Sequence, residues 1–218
     1  MTLFFQKELD KVKKLILSLG AMVEERLRMA IQAIENGDMQ IAETVIKLDY
    51  EIDEKEVEVE EECLKIMALY QPVAVDLRFL VAVIKINNDL ERIADEAVNI
   101  AERVANITGK QNGGFRFDYS HMSEIVEDML KKSLDALVNL DVDIAFKVVT
   151  LDDDVDELHA TAYDLIKKEM LKTPDQAGAL INLYLISRHL ERIADHATNI
   201  AEEVIYLVEG EIVRHGNY

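Results

Sequence analysis

Glu91, Asp95 and Asn99 stand four residues apart, and at about 100° per residue a helix places them along one stripe, near 0°, 40° and 80°. Leu90, Ile93, Ala94, Ala97, Ile100, Ala101 and Val104 fill the arc beside it, so the stripe borders the core-facing side. The same stripe recurs as Glu191, Asp195 and Asn199, and two further carboxylate pairs share the spacing, Asp49 with Asp53 and Asp152 with Asp156. Like charges at this spacing cost a helix a few tenths of a kcal/mol, so four such pairs call for a reason. Oxygen-only ligand sets select hard cations such as Mg²⁺, Mn²⁺ or Ca²⁺, and carboxylate sets also hold iron. Asn99 and Asn199 could add carbonyl oxygens or orient the other ligands. A solvated acidic helix face is the competing reading of the same pairs.

The helices that carry these residues are punctuated by two prolines. Helices joined by a short turn pack antiparallel, so residues equally far from the turn lie level. Asp53 is 19 residues before Pro72 and Glu91 is 19 after it; Asp49 and Asp95 are each 23 away. Around Pro174, Asp156 lies 18 before and Glu191 17 after, while Asp152 and Asp195 are 22 and 21 away. Each set therefore brings four carboxylates together on adjacent helices, at a severe electrostatic cost unless protons or cations neutralise them.

The pattern is a duplication. Residues 90–104, LERIADEAVNIAERV, match 190–204, LERIADHATNIAEEV, at 12 of 15 positions with an offset of 100. A second match, at an offset of 103, joins Ile41, Ala42, Val45, Leu48, Asp49, Asp53 and Glu54 to Ile144, Ala145, Val148, Leu151, Asp152, Asp156 and Glu157. Fixed-offset similarity means repeated architecture. Each copy reads as three helices, near 5–35, 38–70 and 74–107 and near 120–140, 142–171 and 175–209. The expected fold is all-α, with two tandem three-helix bundles at 1–107 and 119–218 and a linker at 108–118 that holds the Gly-rich stretch Thr108 to Gly114.

Composition agrees with long helices: the 218 residues include only 2 Pro and 8 Gly, and 50% are hydrophobic, enough for a packed core. The net charge of −19 argues against nucleic acid, which needs clustered cations, and against an anionic membrane as direct partner. The single cysteine, Cys63, excludes an intrachain disulfide and a cysteine-based metal site and reads as a buried small hydrophobe. With no signal-peptide pattern and no apolar run near the ~18 residues of a membrane span, the expected location is cytoplasmic.

Histidines carry less. His159 follows Asp156 by three, a D-x-x-H that resembles half of a di-iron motif, but copy one has Glu56 there and a packing or surface residue is the better reading. His189 and His196 plot away from the stripe and are left out of the site, and His121 and His215 show no spacing signal. No Ser-His-Asp arrangement can be recognised, and no G-x-S-x-G or P-loop string occurs.

The strings LERIADEAVNIAE and LERIADHATNIAE, with PVAVDLRFL at 72–80, resemble the PhoU family of accessory regulators of bacterial phosphate uptake, over essentially the whole chain. The resemblance implies an all-α pair of three-helix bundles whose acidic motifs hold iron clusters or other cations (Fe, Mn, Mg or Zn), here at Asp49/Asp53, Glu91/Asp95, Asp152/Asp156 and Glu191/Asp195. It implies a homodimer that is not an enzyme. It also implies a negative regulator of the phosphate-starvation response, contacting the ATPase of the phosphate ABC transporter (PstB-like) and a membrane sensor histidine kinase (PhoR-like). Two other readings stay open, a carboxylate-bridged di-iron oxidase and a metal-free structural adaptor. PVAVDLR has no good copy after Pro174, so a partner contact through Asp76 and Arg78 would differ between the repeats.

Overall fold

The structure, a computed structural model, describes residues 3–108 and 115–210. The Gly-rich residues 109–114 of the expected linker, and residues 211–218 at the end of the expected second bundle, lie outside the described residues. Among those described there is no strand. The elements are α1 (Leu3–Asn36), α2 (Met39–Lys47), α3 (Tyr50–Tyr70), α4 (Val75–Thr108), α5 (Ser120–Asn139), α6 (Val142–Lys172), a 3-10 turn at Pro174–Gln176, and α7 (Ala177–Glu209).

Local chemistry sets most of the boundaries. Asp38 caps α2, its Oδ1 accepting from the Gln40 and Ile41 amides at 2.8 and 3.1 Å, and Asp141 caps α6 by accepting from Ile144 N at 3.0 Å. The α3 helix ends at Gln71 in the left-handed region (φ 47) before Pro72, and Gly210 ends α7 at φ 79. The positive φ is what favours glycine at Gly210, since the atoms nearest a Cβ there belong to the flexible end of Arg78.

One boundary departs from the sequence reading. The helix expected over 38–70 is interrupted at Leu48-Asp49, where Glu51 N bonds Leu48 O at 3.2 Å and Ile52 N bonds Asp49 O at 2.8 Å. These i→i+3 bonds tighten one turn to 3-10 geometry. The corresponding stretch of the second repeat runs unbroken through α6.

The α1, α2–α3 and α4 helices pack together, as do α5, α6 and α7, and α4 lies antiparallel against α7 along much of its length. The core is continuous across that seam: Leu80, Ile86, Leu90, Ile93 and Ile100 of α4 join Leu190, Ile193, Ile200 and Val204 of α7 in one cluster. Each such side chain, fully withdrawn from water, contributes roughly 1.5–3 kcal/mol. Cys63 sits in this core, as the sequence reading anticipated, and burial pushes its thiol up to about 12.

Candidate metal centre

In the first repeat α3 and α4 bring Asp49, Asp53, Glu91 and Asp95 into one electrostatic neighbourhood. Burial raises the Asp49 carboxyl, and the charges of Asp53 and Asp95 raise it further. Glu91 is raised by burial and then by Asp95, with Asp53 and Glu56 adding to the effect. Asp95 is raised by burial and by Asp53, against the guanidinium of Arg92. The influences of Asp95 on Asp49 and of Asp53 on Glu91 cross the Pro72 turn in the level order derived from the sequence.

The second repeat copies this set on α6 and α7. Asp152 is pushed up to about 6, by burial first and then by Asp195 and Asp156, while the Thr198 hydroxyl pulls the other way. Glu191 is raised by burial, Asp195 and Asp156, and Asp195 by burial and Asp156. Asp49, Glu91, Asp95, Asp152 and Glu191 are half-buried, whereas Asp53, Asp156 and Asp195 are exposed. Both sets thus lie at the edge of the core and open to water. Asp152 and Asp195 of the second set line a cleft of about 720 Å³ that reaches Lys85 and Asp89 of α4.

As placed, the side chains gather without gripping: among the described residues no three His, Cys, Asp or Glu converge tightly enough to hold one ion. The donor set is nonetheless suited to a hard cation. It is all oxygen, and Glu91 Oε2 is shut off from water with no hydrogen-bond donor. Its cationic neighbour, Arg92 Nε, is 3.5 Å away.

Asn99 and Asn199 engage the seam through their amide nitrogens. Asn99 Nδ2 donates to Glu96 Oε2 at 3.3 Å, and Asn199 Nδ2 donates to Asp89 Oδ1 at 3.2 Å, so both amides serve the α4–α7 seam. Glu56 is a member of the first set that the i,i+4 spacing did not reveal. Its carboxyl is raised by burial and by Glu60 and Asp53.

His159 occupies the place of Glu56 in the second repeat, as the alignment had it. Asn87 Nδ2 donates to Glu56 Oε1 at 3.0 Å, and in the copy His159 Nδ1 lies 3.1 Å from Ser187 Oγ, Ser187 being the counterpart of Asn87. With its ring 5.4 Å from that of Tyr184, and burial lowering its pKa, His159 is a packed histidine.

The seam holds polar contacts that sequence reasoning missed. Glu96, 3% exposed, meets His189 Nδ1 at 2.6 Å and Arg192 Nε at 3.1 Å, and Asp89 Oδ1 meets His196 Nδ1 at 2.9 Å. Lys85 Nζ donates to both carboxylate oxygens of Glu203, at 3.1 and 3.2 Å. The partners of Glu96 hold its carboxyl below the usual range despite burial. No helix among the described residues is long and apolar enough to cross a membrane.

The chain is similar to known proteins over nearly its whole length. The PhoU domain family matches residues 16–104 and 119–204. The phosphate-specific transport system accessory protein PhoU homolog of Pseudomonas aeruginosa is 37% identical, over 97% of this chain and 88% of its own length. The Aquifex aeolicus protein of the same name is 40% identical, over 96% and 95%. The crystal structure of PhoU from Pseudomonas aeruginosa superposes with a TM-score of 0.91 at 36% identity, covering 95% of this chain and 100% of that one. The phosphate transport system regulatory protein PhoU from Streptococcus pneumoniae gives 0.86 at 29% identity, covering 96% and 99%.

Proposed function

Because the chain belongs to the PhoU family, we propose that it is an accessory regulator of phosphate transport that works from the cytoplasm and holds cations at its two carboxylate sets. It restrains the phosphate-starvation response by docking on the ATPase of the phosphate ABC transporter and on a sensor histidine kinase. Residues 1–107 and 119–218 act as its two units, joined by 108–118, and the working form is a homodimer. It is a binding protein and not an enzyme.

The observation that supports the cation reading is the double occurrence of four mutually repelling carboxylates at matched heights, on α3 with α4 and on α6 with α7. Asp49, Asp53, Glu91 and Asp95 would hold one ion or cluster, and Asp152, Asp156, Glu191 and Asp195 the other. A cation bound there supplies the positive charge that the sets lack. The protein's part is to present the oxygens at the rim of the core, where partly withdrawn charges interact more strongly than in bulk water. The packing of His159 against Ser187 and Tyr184 supports the binding-protein reading over the oxidase one.

The regulatory role is tested in a bacterium lacking its own family member. With ample phosphate, the wild-type chain should return a phosphate-starvation reporter to its repressed level, and Asp95→Ala with Asp195→Ala should not. A reporter that stays derepressed with well-expressed wild-type chain would overturn the regulatory reading.

A further inference from the structure

The α4–α7 seam pairs two copies of one ancestral helix, and the copies carry opposite partners. The contacts Glu96 with His189 and Asp89 with His196 are related by a two-fold exchange, because 89 and 96 correspond to 189 and 196 at the offset of 100. At both positions the first repeat has an acid and the second a histidine. The third contact, Lys85 with Glu203, falls where the exchanged counterparts are Leu185 and Arg103. From these three contacts we infer that the seam is a pairing code, an interaction surface on the first repeat that fits the second repeat and rejects another first repeat.

The rejection follows from substituting like for like. A first repeat against a first repeat would set Asp89 against Glu96 twice and Lys85 against Arg103 twice. Glu96 is almost fully withdrawn from water, where an uncompensated charge is most costly. Arg92, the counterpart of Arg192, is already drawn to Glu91 and Asp95 of its own helix, at 3.5 and 3.8 Å. A second repeat against a second repeat would face His189 with His196, deprive Arg192 of Glu96, and set the buried Glu203 against Leu185. Only the mixed pairing gives each carboxylate a nitrogen partner. Specificity obtained by penalising the wrong partner is common among paired helices. The apolar positions, nearly identical in the two copies, cannot supply it.

The test uses the full chain in a chelating buffer, so that cation binding plays no part. The variant H189D/H196E gives the second repeat the acids of the first, and its midpoint of thermal unfolding should fall by at least about 5 °C. Adding D89H/E96H exchanges the two acid–histidine pairs while leaving Lys85, Glu203 and Arg192 in place, restores an acid facing a histidine at both crossings, and should regain at least half of the loss. If the acid variant does not fold and the exchanged variant does, the code also stands. An acid variant that melts within about 5 °C of wild type, or an exchanged variant that regains less than half or fails to fold, overturns it.

Discussion

Asp152 on α6 and Asp195 on α7 face each other across the second carboxylate set, and burial together with the Asp195 charge pushes the Asp152 carboxyl up to about 6. A carboxyl raised in the folded state binds its proton more tightly there than in the unfolded chain. Its charged form therefore weakens the fold above pH 6, and this penalty is relieved as the pH falls through 6 toward the ordinary value of 3.8. Asp49, Glu91, Asp95, Glu191 and Asp195 are shifted in the same direction.

The cation-free protein should accordingly be more stable near pH 5 than near pH 7.5. Glu62, held down to about 2 by Lys11 at 2.7 Å, and Glu96, held down by His189, act oppositely. Their stabilisation is present above the ordinary value of 4.5 and is lost as the pH falls below it. Thermal unfolding across pH in a chelating buffer should show a maximum between these regimes, and Asp152→Asn should flatten its alkaline side. A midpoint that rises steadily from pH 5 to 7.5 would contradict the placement of these carboxylates.

Glu96→Ala removes the acceptor of His189 and Arg192 from the middle of the seam. Breaking a buried charged contact from one side costs about 3 kcal/mol, or roughly 6–12 °C in a chain of this size. Arg192→Ala should cost less, because Arg192 is half-exposed and loses only part of a contact that His189 keeps. Calorimetry of both variants checks the order, and an equal or inverted ranking would refute it.

Asp141→Ala removes the side-chain acceptor at the start of α6, leaving Ile144 N without its 3.0 Å partner. The expected loss is about 1 kcal/mol, with the cooperativity of unfolding unchanged in urea. A loss several times larger would mean that Asp141 has a role beyond the cap.

Much of this architecture was legible because duplication and punctuation speak locally. Pro72 and Pro174 fixed the turns, and equal distances from them placed Asp53 level with Glu91 and Asp49 level with Asp95. The break at Leu48-Asp49 was not legible, since no glycine or proline marks it and the two copies differ there although their sequences align. The amide bonds of Asn99 to Glu96 and of Asn199 to Asp89 were not legible, because a helical wheel shows which residues share a stripe and not what each amide nitrogen reaches. His189 and His196 were set aside for plotting away from the stripe, yet that side faces the opposite repeat. The exchange of Asp89 for His189 and of Glu96 for His196 was visible at the offset of 100 and would have pointed to the seam.

The account rests on cations held by the two sets, and binding of Mn²⁺ to the chelator-stripped chain measures that directly. Isothermal titration of wild type should show saturable uptake accompanied by a rise in the midpoint of unfolding, and Asp95→Asn with Asp195→Asn should abolish most of both. Wild-type protein that takes up no Mn²⁺, or a double variant that binds as wild type does, would contradict it.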